Sequence, residues 1–211
     1  MPIASMTEQG FVTREHSSAA VTAFDRFVNS RAALATAFGW GLAEATFFFI
    51  VPDVFLTLLA CRAWRPALRA SVAALSGALL GGLLMFAGGA LFPALTLEWL
   101  VRVPAISPEL VAHVQTQFAQ QGLLALFLGP LQGVPYKIYA VVAGVQGKHG
   151  LSFFLVSIPA RYLRFLLAVL AARGLSSLLQ RWTKRRVEFE LTLLLALWLE
   201  FYCLYFTWFG W

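Results

Sequence analysis

Apolar residues in this chain fall in long blocks, and the blocks are of two kinds. Residues 67–92, 151–172 and 187–211 are each predominantly apolar over about 20 residues or more, enough at about 1.5 Å per residue to cross a hydrocarbon core of about 30 Å. They predict three transmembrane helices. Residues 32–60 and 122–145 are equally apolar but interrupted in the middle, the first by Val51-Pro52-Asp53 and the second by GPLQGVPYKIY, Gly129 to Tyr139. Proline removes a backbone donor and disfavours helix in the residue before it, so each block predicts two short helices joined by a turn. Between them, SPELVAHVQTQFAQQG (residues 107–122) mixes polar and apolar positions. A serine N-cap, a proline at the first helical position and a first-turn glutamate predict a short amphipathic helix lying at a membrane interface.

Composition settles the broad class. Of 211 residues, 60% are hydrophobic and 12% charged, against roughly 25% charged in an ordinary soluble domain. The chain reads as an integral membrane protein. Its first 30 residues scatter Glu8, Glu15 and Asp25 among polar positions and lack the basic-then-apolar pattern of a cleavable signal, so the spans themselves are expected to drive insertion.

The distribution of the net charge of +6 argues for topology and against nucleic acid. Arg62, Arg65 and Arg69 crowd one junction; Arg173, Arg181, Lys184, Arg185 and Arg186 crowd another. Residues 93–121 hold Arg102 against Glu98 and Glu109. By the positive-inside rule the two basic junctions are cytoplasmic and the long connection is outside. If 67–92 runs outward and 151–172 returns, 122–145 must start and finish outside, as a re-entrant hairpin. The block 32–60 lies between Arg14, Arg26 and Arg31 on one side and the Arg62–Arg69 cluster on the other, so both its ends prefer the cytoplasm.

The expected architecture is an all-α integral membrane protein with about three full transmembrane helices and two opposed re-entrant helical hairpins in an inverted repeat. This pattern marks substrate and ion sites in secondary transporters. The alternative, a single kinked span for 32–60, would put the N-terminus outside. The expected divisions are a polar cytoplasmic segment (1–30), a membrane domain (31–172), a basic cytoplasmic connection (173–186) and a C-terminal transmembrane helix (187–211) ending outside. The expected location is a bacterial inner membrane.

Five charges sit where lipid should be. The first hairpin carries Glu44 and Asp53; the second carries Lys137; the next span carries Arg161 and Arg164 in PARYLRFLL, three apart and so on one helix face. Each costs about 2.5–3.5 kcal/mol at the bilayer centre unless it pairs or meets water. The hairpin tips fall at Pro52, Pro130, Gly133 and Pro135. Ion pairs that merely tie two halves together are one reading, but apolar substitutes often serve stability as well, which favours a functional site. Arginines and a lysine in a cavity suit a phosphate, and acids at the same depth suit proton uptake and release. The expected partners are anionic or phosphate-bearing membrane lipids. Proton binding and homo-oligomerisation remain open, and no nucleic acid, metal or cofactor is expected.

These residues carry a family resemblance. The order "E…VPD" on one apolar hairpin, then FLGPLQGVPYKIYAVVAGV (residues 127–145), then intramembrane ARYLRF (residues 160–165), resembles the DedA family, also called VTT or SNARE-associated membrane proteins. It is most similar to the smaller branch, with a P-[YF]-K…AG hairpin. The resemblance covers roughly residues 35–172. It implies two opposed re-entrant hairpins and movement of phospholipid or polyprenyl phosphate between leaflets, as a flippase or scramblase, proton-coupled in some members. Glu44 and Asp53 match the acids that function in that family. The second hairpin departs from the better-known members, which flank an F-x-P element with two arginines. Here Lys137 is the hairpin's cation, and Arg161 and Arg164 would supply the rest from the next span.

Other features have plainer readings. Gly77 and Gly81 have the spacing of close helix packing, within the subunit or in a dimer. Cys61 and Cys203 read as small buried apolar side chains, with a disulfide as the alternative, His113 as surface, and Lys148 and His149 as interfacial anchors. Glu200 is read either as a partner for the arginines or as a protonated carboxyl packed against another helix. The Trp and Tyr residues from Trp198 to Trp211 read as an aromatic belt. No HExxH, GxSxG or clustered histidine is present, so the chain is expected not to be an enzyme. A proton-coupled exporter of small molecules or ions, and a membrane-assembly factor without transport, are the alternatives to lipid movement.

Overall fold

The computed structural model describes residues 22–183 and 187–209, and every element among them is helical. Residues 1–21 and the cations Lys184, Arg185 and Arg186 of the expected basic connection lie outside that description. The chain passes through α1 (22–28), α2 (Arg31–Thr46), α3 (Asp53–Arg62), α4 (Trp64–Leu91), α5 (Pro93–Leu100), α6 (Pro108–Gln121), a 3-10 turn (Gly122–Leu124), α7 (Ala125–Leu131), α8 (Tyr136–Val145), α9 (Gly150–Thr183) and α10 (Val187–Phe209).

Among the described residues, three helices are long and apolar enough to cross a membrane: α4, the Gly150–Gln180 part of α9 and the Phe189–Thr207 part of α10. They fall on the three uninterrupted apolar blocks of the sequence. Helix α4 begins a little before its apolar block because Pro66 lies in the first turn, where its missing N–H breaks no helical bond. Helix α9 continues past Ala172 to Thr183; its 34 residues make a rod of about 51 Å, well beyond a core of about 30 Å. The two interrupted blocks are broken as expected, with helix lost at 47–52 between α2 and α3 and at 132–135 between α7 and α8. Pro130 is placed differently from the expectation. It lies inside α7, where the helical φ of proline is tolerated one residue before the helix ends, and the break begins only at Gln132. Gly133, at φ 87°, makes the turn that a residue with a Cβ would resist.

Helix α4 organises the core. Its first half packs against α2 and its second half against α8, and both contacts bring backbone against backbone. A Cβ on Gly77 would meet the Phe38 carbonyl oxygen, one on Gly41 the Ala74 carbonyl oxygen, and one on Gly81 would lie 2.8 Å from the Ala45 Cβ. Gly89 and Gly144 do the same between α4 and α8. The small-residue spacing therefore serves packing inside the subunit. Outside this core, α6 has the expected serine cap: the Ser107 hydroxyl accepts from Leu110 N–H at 3.2 Å, and a hydrogen bond from Ser107 holds the Glu109 carboxyl below its usual range. Tyr139 docks this helix by donating to Gln117 Oε1.

Candidate functional site

The break between α2 and α3 frees backbone groups from helical hydrogen bonding, and side chains from three other places satisfy them. Lys137 Nζ, in the first turn of α8, donates to the Phe48 carbonyl at 2.6 Å. Trp40 Nε1 donates to the Ile50 carbonyl at 2.9 Å, and Val51 N–H donates to the Tyr202 hydroxyl of α10 at 2.8 Å. Backbone groups that lose their helical partners need others wherever water does not reach them.

The two acids flank the break. Glu44 ends the buried face of α2, and Asp53 is the first residue of α3, where the positive end of the helix dipole favours a carboxylate. Glu44, Asp53, Lys137 and Arg161 are all 4% exposed or less. Arg161 donates to Glu44 Oε2, and its guanidinium sits between the rings of Tyr136 (4.7 Å) and Phe165 (5.0 Å). Tyr136 is itself fixed by donating to Ser157 Oγ at 2.8 Å. One turn along α9, Arg164 places Nε at 3.0 Å and Nη2 at 2.6 Å from Asp53 Oδ2. Both bonds fall on one carboxylate oxygen. Asp53 Oδ1, Arg161 Nε and Arg161 Nη1 are buried without a hydrogen-bond partner among the described residues.

All five charges singled out in the sequence therefore come together, in a specific arrangement. The acids of the first interrupted segment pair with the arginines of α9, while the lysine of the second bonds a backbone carbonyl of the first. Beside them lies a cavity of about 500 Å³. Glu44, Lys137 and Arg164 form its charged end, and both breaks line it, through Phe49 and Val51 on one side and Gly133 and Pro135 on the other. The rest of the wall is mostly apolar and comes from α9 and α10, including Ala168, Ala171, Leu194 and Trp198. The loop after α5 contributes Ala105, held at φ 62°, an uncommon conformation for a residue with a Cβ.

Three polar residues of this site were not singled out from the sequence. Thr57, one turn after Asp53, donates to the Asp53 carbonyl and accepts from Trp198 Nε1 at 3.0 Å. Trp198 and Tyr202, four apart on α10 and stacked at 6.1 Å, face inward. These two leave the expected aromatic belt and latch α10 across the cavity. The signal was their i, i+4 spacing, masked by the density of aromatic residues around them. Glu200 fits neither of its expected roles. It lies between Trp198 and Tyr202 on the opposite face of α10 and is exposed.

No family model matches the chain, and no solved structure matches it. It is 30% identical over 132 residues to a Haemophilus influenzae protein named "Uncharacterized protein", a match covering 62% of this chain and 68% of that protein. The chain belongs to the same family as that protein.

Proposed function

We infer that this membrane protein moves a phosphate-bearing lipid between the leaflets of a bilayer, as a DedA-like transporter. The observation that carries this reading is a cavity lined by both interrupted segments, with Glu44, Lys137 and Arg164 on one part of its wall and mostly apolar residues on the rest. A headgroup fits beside Lys137 and Arg164, and acyl chains fit along α9 and α10. In this reading the interrupted segments are re-entrant hairpins dipping from opposite faces, related as an inverted repeat, with the cavity where their tips meet. The basic junctions then lie in the cytoplasm and the membrane is a bacterial inner membrane.

The ion pairs supply the working parts. An anionic headgroup then meets Arg164 already engaged by Asp53 and takes its free donors from Lys137.

The test is leaflet exchange of fluorescent phospholipids and a polyprenyl phosphate in liposomes holding the purified protein, with and without a proton gradient. Wild type should move lipid, while Glu44→Gln, Asp53→Asn and Arg161→Ala, inserted at equal amounts, should not. Wild type indistinguishable from protein-free vesicles would reject transport of these lipids.

A further inference from the structure

We propose that the cavity selects a singly charged phosphodiester headgroup over both zwitterionic and doubly charged ones, and that Lys137 is the residue that sets this preference. The proposal rests on the lipid reading of the cavity and names the class of lipid it takes. It comes from counting charge. Arg161 is matched by Glu44 and Arg164 by Asp53, so each pair is neutral as a unit. The hydrogen bond of Lys137 goes to a neutral acceptor, the Phe48 carbonyl, and an ammonium has three donors. Three cations against two carboxylates leave one net positive charge, and the charged residues on the cavity wall itself are Glu44, Lys137 and Arg164.

Burial makes that count matter. Lys137 is 1% exposed, so water cannot screen a mismatch as it would at a surface. A phosphodiester carrying one negative charge brings the constellation to neutrality. A zwitterionic headgroup adds no net charge and leaves the ammonium of Lys137 uncompensated. A phosphate monoester in its doubly charged form overshoots and leaves a buried negative charge, which is as unfavourable as a buried positive one. The geometry agrees with the count. Lys137 presents a compact point charge rather than the two-pronged donor that grips a terminal phosphate, and the nearby guanidinium groups are already engaged with carboxylates.

The test measures binding, so that it is independent of movement. Purified protein in a neutral detergent is titrated at pH 7 with three dioctanoyl lipids, phosphatidylglycerol, phosphatidylethanolamine and phosphatidic acid, and with chainless glycerophosphoglycerol. At that pH the monoester, with a second pKa of about 6, is mostly a dianion. Phosphatidylglycerol should bind about tenfold more tightly than the other two lipids, the worth of one hydrogen bond to a charged group, and the chainless ester more weakly than its lipid. Lys137→Gln should erase the preference, while Lys137→Arg, which keeps the charge, should retain it. Phosphatidic acid binding as tightly as phosphatidylglycerol, an unchanged preference in Lys137→Gln, or no binding of any lipid overturns the proposal. Equal binding of the chainless ester overturns a lipid as the source of the phosphodiester. Charge-selective binding without leaflet exchange would reject the transport reading alone, and exchange without charge selectivity would reject this one alone.

Discussion

Replacing Arg161 by methionine should destabilise the protein severely, and replacing Glu44 at the same time should restore most of the loss. The Arg161→Met side chain keeps much of the volume between Tyr136 and Phe165 but leaves Glu44, 3% exposed, as a buried carboxylate without its partner. Breaking a buried pair in this way costs about 3–5 kcal/mol, most of it the penalty for the orphaned charge. The guanidinium also faces two rings at 4.7 and 5.0 Å, and losing those contacts adds to the cost. Glu44→Gln alone strands the guanidinium and should cost a similar amount. In the double variant both charges are gone, two side chains of matching length remain, and stability should return to within about 1–2 kcal/mol of wild type. The assay is a double-mutant cycle on reversible unfolding in mixed micelles of increasing SDS fraction. Single-variant losses that simply add, within about 0.5 kcal/mol, would refute the pairing. The double variant also separates support from function: it should be folded and yet fail to move lipid.

Four further outcomes follow from the packing. Gly77→Ala places a Cβ against the Phe38 carbonyl and should cost about 1–3 kcal/mol in the same unfolding assay. Gly39→Ala, on α2 with nothing within 4 Å of the added carbon, should instead stabilise by about 0.5–1 kcal/mol. Tyr202→Phe removes the acceptor for Val51 N–H and should cost about 1–3 kcal/mol, with faster hydrogen exchange at that amide as the specific signature. Glu200→Leu should leave both stability and lipid exchange as in wild type, because that side chain is exposed and takes no part in the site.

How much could be read from the sequence depends on what each feature needed. The three long helices were legible because length and apolarity alone decide whether a helix can span a bilayer, and the breaks were legible because proline and glycine punctuate a helix locally. The five charges of the site were legible for a similar reason, since a charge in an apolar block must find a partner somewhere, whereas Glu190, 4% exposed and bonded by Ser176 and Gln180, was not singled out. Which partner it finds is a tertiary fact. That Glu44 takes Arg161 while Lys137 bonds a carbonyl depends on how α9 crosses the break after α2, and no local pattern encodes that. Pro130 was assigned to a turn because proline usually ends a helix, but a last-turn proline loses only one bond. On α10 leucines and aromatic residues crowd the faces around Glu200, so the i, i+4 spacing that separates the inward Trp198 and Tyr202 from the outward Leu199 and Leu204 was masked.

That same contrast on α10 provides the most direct test that the cavity holds lipid. A phospholipid carrying a diazirine in its acyl chain can be photolysed in membranes containing the protein, and the labelled residues mapped by mass spectrometry. Label concentrated on the cavity wall, at Ala168, Leu194 and Trp198, and reduced there in Asp53→Asn, is the predicted result. Label confined to outward residues such as Leu199 and Leu204, with the cavity wall unmarked and Asp53→Asn identical to wild type, would contradict it.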